Sequence, residues 1–371
     1  MSLTTDLRHA IESGDATIAI RADLEPVVGV KILPPTYAGS VHNMTAPRDD
    51  GSSEWCSVDA PASFANRVEA ALVAVHPELA PLRVEVGGRV ISTLEMPHRA
   101  FDATLRESEL DGVRWPKTDI ARKFAAASPG SAYALLRYDP AMVLLGGWNS
   151  TALGDRQAGT RELKLPAALS CEITATDVLP VQRAGSRIDP LGIEGTEASL
   201  VEFEDGRLEP YSPETHDAAL EAAARGRDKN AYPRRIKPSE ANLGNVAPSL
   251  IDKGIIVRGA ITLSGTLDLR RLGRYQFAPA DDIEARLLLA LMGLYGVDAV
   301  VRRGLDLRRD CELVATSLSV SVRRPLAEPE PLDLSGVADA LAAQVAVMRE
   351  HINEPVVLQA NAALRALVGA V

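Results

Sequence analysis

The stretch Gly185-Ser186-Arg187-Ile188-Asp189-Pro190-Leu191-Gly192 decides how this chain is read. Gly tolerates positive φ, Pro fixes its own φ, and the residue before Pro is pushed out of the helical region. Two glycines and an Asp-Pro pair so close together predict a shaped loop, neither a helix nor a plain strand. The loop carries one arginine, and a guanidinium presented beside a bent backbone suits an anion. A tight structural turn with a solvated arginine accounts for the same residues, since loops connect before they bind. The flanking sequence has to separate the two.

Upstream, Ala168 to Val181 is rich in β-branched residues and reads as a strand. Downstream, residues 194–228 are polar and acidic, with one helix expected around His216–Ala224. Ile255 to Leu267 is again a strand, broken by Gly259. The loop therefore opens an insertion between two strands. Beyond residue 225 the charge reverses. From Arg225 to Arg274 there are eleven Lys and Arg and four Asp and Glu, a local charge of +7 in a chain of -10. Tyr232 and Tyr275 are interleaved, and Lys237-Pro238-Ser239-Glu240 with Asn242-Leu243-Gly244-Asn245 form a second Pro/Gly loop. Clustered cations, polar donors and flat side chains are what a nucleic-acid groove requires.

The remainder of the chain is mixed α and β. A short polar helix precedes strands over residues 16–33, which end at Pro34-Pro35-Thr36-Tyr37. Residues 40–53 are expected to be a surface loop. Asp59-Ala60-Pro61 opens a helix, with Asp59 a candidate N-cap, whose apolar stripe is Phe64, Val68, Leu72 and Val75. Asn66 points away from the stripe and Arg67 lies on its flank, so both are either a solvated face or a groove lining. Gly87-Gly88 is a hairpin turn between two strands. Pro97-His98-Arg99 is expected to open a helix from Ala100 to about Leu110, placing His98 and Arg99 at an anion-binding N-terminus. Helices are expected over 118–127 and 131–138, and a buried strand over Met142–Leu145. Trp148, in Gly147-Trp148-Asn149-Ser150-Thr151, is either a stacking platform or a core lid. An apolar helix is expected from Asp281 to Tyr295 and a last strand from Cys311 to Val322. Residues 326–333 read as a linker, and Val337–Glu350 and Asn353–Ala370 as helices.

Composition excludes several classes. At 371 residues, with 46% hydrophobic and 24% charged residues, the chain is an ordinary globular protein of one large decorated domain or two. Its negative charge argues against polyanion binding by the whole surface. Cys56, Cys171 and Cys311 are far apart, with no zinc spacing, and read as reduced buried thiols of a cytoplasmic protein. No apolar stretch approaches membrane-spanning length. Phosphate-loop, dinucleotide, nucleophile-elbow and zinc-protease motifs are missing. No cofactor is expected. Loop carboxylates leave one enzymatic alternative, phosphodiester cleavage, with Asp59 and Asp189 as candidates.

Taken in order, these stretches resemble a known family. Pro34-Pro35-Thr36-Tyr37, Ala65-Asn66-Arg67-Val68-Glu69, Pro97-His98-Arg99, Gly147 to Thr151, Gly185 to Gly192, and Lys237-Pro238-Ser239-Glu240 leading to Gly244-Asn245 and Pro248-Ser249-Leu250 are similar to the RAMP-superfamily backbone subunit of the type I-U (I-G) CRISPR effector complex. Ser63-Phe64 stands where that family has a Ser-Gln-like pair. The resemblance spans about residues 30–320.

The resemblance implies an α+β fold: an RRM-like (ferredoxin-like) palm over residues 1–325 with long insertions, a loop at about 40–58 and a thumb at about 190–240. A helical segment follows over 326–371. It implies a non-enzymatic subunit that binds CRISPR RNA, packs head to tail with copies of itself and with other subunits, and presents the guide to a target DNA strand. Asn66, Arg67, His98, Arg99, Ser186, Arg187, Lys237, Asn242 and Asn245 are the residues expected to hold RNA, with Asp189 keeping the Arg187 turn in shape. The alternative within the same superfamily is a metal-dependent ribonuclease cutting target RNA with Asp59.

Overall fold

In Thr17–Pro26 the buried residues Ile18, Ile20, Ala22 and Leu24 alternate with Ala19, Arg21, Asp23 and Glu25. A period of two places each set on its own face of a strand. The computed structural model describes residues 2–369 except 39–40, 150–163, 190, 194–198, 226–230, 245 and 252. Six elements carry the fold: β1 (Thr17–Pro26), α1 (Pro61–Val75), β2 (Leu169–Pro180), β3 (Ile261–Asp268), α2 (Asp282–Arg303) and β4 (Cys311–Arg323). Their chain order is β-α-β-β-α-β, and their spatial order is β4-β1-β3-β2. All neighbours in that series are antiparallel. Leu305–Arg308 extends the sheet beyond β4, and Ser53–Asp59 pairs with β2.

One face of this sheet packs on helices. α2 is capped by Asp281, whose carboxylate accepts from the amides of Ile283 and Glu284. Its residues are buried almost without interruption from Ala285 to Val301, as expected of a helix apolar all round. Gly296 lets α1 come close: a Cβ there would stand 2.4 Å from Val68 Cγ1. The first turn of α2 also gathers two other helices. Glu284 accepts two bonds from Arg8 of helix Leu3–Ser13, at 2.7 and 3.0 Å, and one from Gln344 of helix Val337–Val347 at 2.9 Å. The opposite face is open, with Arg21 in register with Ser264 and Ser319, and Asp23 with Thr262 and Ser317.

A second sheet runs in the order Arg89–Ser92, Leu82–Val86, Val356–Ala360, Ser108–Leu110, Val113–Arg114. The expected hairpin at Gly87-Gly88 is present, with both glycines at positive φ (58° and 79°). The C-terminal segment is not all helical as expected. Val356–Ala360 is a strand, parallel to Leu82–Val86. Residues 1–179 and 255–371 make one compact unit and residues 180–254 another. The C-terminal segment thus belongs to the large unit.

Four further expectations are corrected. Met142–Leu145 is helical, within Ala141–Leu145, because a short apolar run carries no period to distinguish strand from helix. The expected helix from Ala100 to Leu110 is broken into a 3₁₀ turn (Arg99–Phe101), a helix (Ala103–Arg106) and a strand (Ser108–Leu110). Asp102 restarts the helix there by accepting from the Thr104 amide at 2.8 Å. Ser53–Asp59 is a strand, so Asp59 ends a strand and does not cap α1, whose N-cap is Ala60. Gly185–Arg187 is not loop but part of strand Arg183–Arg187, paired with Val246–Ile251.

Within residues 180–254, Leu200–Glu202 lies between Leu208–Pro210 and Arg234–Ile236 in a three-stranded sheet, whose second and third strands in chain order flank helix Pro213–Ala224. Among the described residues no helix is long and apolar enough to cross a membrane.

Candidate nucleic-acid interface

The buried polar groups of the large unit meet the sequence-derived candidates at two points. The first is Asp59, only 1% exposed. One carboxylate oxygen accepts from Arg67 Nε at 3.2 Å and the other from Arg308 Nη2 at 3.3 Å. Arg67 also donates to the carbonyls of Asp306 (3.1 Å) and Leu307 (3.2 Å), and Arg308 to that of Val58 (3.0 Å). A guanidinium has five donors in a rigid fork, and here the fork joins α1 to strand Leu305–Arg308. Arg67 therefore acts within the fold, and both oxygens of Asp59 are engaged by guanidiniums.

The second point is Arg99, whose φ of 51° is in the left-handed region. Its Nε donates to Glu69 Oε1 at 2.6 Å and its Nη1 to the Gly146 carbonyl at 2.9 Å. Glu69 is 3% exposed and Asp139 0%. Asp139 accepts the Ala100 amide at 3.0 Å. Burial pushes Glu69 up to about 7 and Asp139 up to about 6, and the Arg99 charge pulls both partly back. Asn66, one turn before Glu69, and His98, next to Arg99, are both exposed. The candidate stretches around residues 66 and 98 are thus joined through Glu69 and Arg99, a connection that sequence spacing alone could not supply. Trp148 is 57% exposed, which removes the core-lid reading.

Residues 180–254 hold the other candidates. Ser186 is exposed. Asp189 shapes the turn as expected of a turn residue: its oxygens accept from the amides of Leu191 (2.8 Å) and Ile193 (2.5 Å), with Gly192 at φ 66°. Lys237 is exposed, its amide donating to Glu240 Oε2 at 2.6 Å. Asn242 is exposed and ends the Pro238–Ala241 turn at φ 58°. The Arg187 side chain, Asn245, Ser150 and Thr151 lie outside the described residues.

The local excess of positive charge is smaller in space than along the chain. Arg234 pairs with Glu202 at 2.7 Å, Arg258 with Asp177 at 3.0 Å and Asp50 at 3.3 Å, and Arg225 with Glu221 at 3.6 Å. Tyr275 is 2% exposed, which removes it as a stacking surface. Arg235 keeps a different partner, its guanidinium lying 3.7 Å from the centre of the Tyr211 ring. Nothing local in the sequence singles out Tyr211, because only the pairing of Leu200–Glu202 with its neighbours brings it near Arg235.

Among the described residues no three His, Cys, Asp or Glu side chains stand close enough to hold a metal ion. Cys56, Cys171 and Cys311 are all buried and unbridged. Desolvation raises their thiols to about 12, 12 and 11.

Antiparallel β-α-β-β-α-β architecture with an insertion between its second and third strands defines an α+β protein. A family model described as CRISPR-associated protein GSU0053 (Cas_GSU0053) matches residues 18–180, from β1 through β2. The match covers under half of the chain, and over that part the chain is similar to this CRISPR-associated family. No curated protein matches the chain.

Proposed function

We propose that this chain is the RNA-holding backbone subunit of a type I-U (I-G) CRISPR effector complex, acting without catalysis. The observation that carries the reading is the coincidence of the family match over residues 18–180 with a β-α-β-β-α-β unit of spatial order β4-β1-β3-β2. That connectivity supports reading the sheet as an RRM-like, ferredoxin-like palm, and we read residues 180–254 as its thumb. His98, Ser186, Lys237 and Asn242 are exposed and, with Asn66, Arg187 and Asn245, bind phosphate or 2′-hydroxyl groups of a guide RNA. Arg67 and Arg99 support the neighbouring Asn66 and His98 from inside the fold. Copies pack head to tail along the guide beside other subunits, and heterologous contacts of that kind build open filaments. The guide's bases pair with a target DNA strand, so base pairing supplies specificity and the protein holds shape.

The test is binding of single-stranded RNA, followed by fluorescence anisotropy over a salt series. Arg187→Ala combined with Lys237→Ala lowers affinity and flattens the log–log salt slope by roughly 1.4, about 0.7 for each phosphate no longer neutralised. Unchanged affinity and slope refute this interface. Regular cuts in complementary RNA that need divalent metal and vanish in Asp59→Ala would instead establish the ribonuclease alternative. Against that alternative stands the burial of Asp59 between two guanidiniums.

A further inference from the structure

Three ionisable side chains meet in the large unit where α1, the Arg99 turn and the Asp139–Gly146 segment converge. Two are carboxylates, Glu69 and Asp139, and one is a guanidinium, Arg99. With all three ionised, the cluster carries one uncompensated negative charge in an apolar surrounding, which is strongly unfavourable. The hydrogen bonds show where the imbalance falls. Arg99 Nε is given to Glu69 and its Nη1 to the Gly146 carbonyl. Asp139 receives the Ala100 amide on Oδ2. Its Oδ1, fully buried, has no hydrogen-bond partner, and neither has the buried hydroxyl of Thr93. Thr93 nevertheless acts on Asp139 as a hydrogen-bond donor that lowers its pKa, so the two oxygens are neighbours at the edge of hydrogen-bond reach.

We propose that Glu69, Arg99 and Asp139 form a proton-holding pin: one carboxyl of the pair holds a proton until the pH rises through neutrality, and that proton lets the Arg99 turn lie closed against α1. The Thr93 hydroxyl can accept from a protonated Asp139 Oδ1 or donate to an ionised one, so it is the unbalanced buried charge of the cluster that calls for the proton. Among the described residues the groups acting on the cluster are few: Glu69 feels Arg99 and Asp139, and Asp139 feels Arg99 together with Thr93 and the amides of Ala100 and Met142. The raised values of about 7 and about 6 agree with a site that binds a proton more tightly folded than unfolded. The pin also fixes the spacing of two candidate RNA-binding side chains, because Asn66 is one helical turn from Glu69 and His98 adjoins Arg99.

A carboxyl raised on folding stabilises the native state least at high pH. Glu69 at about 7 against 4.5 when exposed implies that the folding equilibrium weakens roughly thirty-fold between pH 5.5 and pH 8. The experiment is urea unfolding of the full chain across that range, for wild type, Asp139→Asn and Glu69→Gln. The asparagine amide of the first variant would still accept from Ala100 and would donate toward Thr93 without a charge. Expected is a wild-type loss of that order, a smaller loss in each variant, and Asp139→Asn no less stable than wild type at pH 8. Equal pH slopes in all three chains would overturn the pin. An Asp139→Asn chain that fails to fold overturns it too, since the proposal makes that carboxylate's charge dispensable. The readout needs no RNA, so it stands or falls separately from the proposed function.

Discussion

Asp59→Ala separates a structural carboxylate from a chemical one. The wild-type carboxylate is 1% exposed and accepts two charge-assisted bonds, at 3.2 and 3.3 Å. Removing one partner of a buried ion pair costs about 3–5 kcal/mol. Two features of this site lower that figure. Arg67 and Arg308 are each 25% exposed at the side chain, so water reaches the stranded charges. Both also keep carbonyl partners, Arg67 at Asp306 and Leu307, Arg308 at Val58. A loss of about 2–4 kcal/mol remains, and for a unit of this size that is a drop in Tm of roughly 4–10 °C. Differential scanning calorimetry of the full chain measures it, with Asp59→Asn expected to fall between Asp59→Ala and wild type. A Tm unchanged from wild type, together with loss of an RNA-directed activity, would refute the structural role and point to chemistry at Asp59.

Two other expectations follow from packing and burial. Gly296→Leu drives side-chain atoms into Val68, because a Cβ alone would stand 2.4 Å from Val68 Cγ1. It should lower stability by about 1–3 kcal/mol in urea unfolding, and Val68→Ala in the same chain should recover part of the loss. The three buried thiols, raised to about 12, 12 and 11, should resist an aromatic disulfide reagent at mildly alkaline pH in the folded protein and all react once it is denatured. Rapid native labelling of any of them would contradict their burial.

Much of the fold is legible in periodicity. The two-residue alternation of β1 and the continuous apolar helix α2 are local patterns with one good physical solution each. Turn chemistry is equally legible at Gly87-Gly88, where both residues adopt positive φ. Legibility fails where a segment is too short to show a period, as in Ala141–Leu145, or where a partner far along the chain makes the element. Val356–Ala360 is a strand because Leu82–Val86 offers it a ladder, a fact absent from residues 353–370 themselves. For the candidate site, residue type and loop context pick out the neighbourhoods at Asn66-Arg67 and His98-Arg99. They do not tell which side chain faces outward.

The amino-acid sequence by itself determined that this is a mixed α and β chain, interrupted after a long strand by an insertion that begins near Gly185. It also marked out the few shaped polar loops as the places to look for recognition. These are properties of backbone preference and hydrophobic pattern, which act over a few residues. Only the tertiary structure decided what each charge does. Arg67, Arg99 and Arg258 look alike in sequence as available cations, but each is held by a carboxylate brought from 8, 30 and 208 residues away, respectively. Ion pairing depends on distance in space, and the fold alone sets that distance.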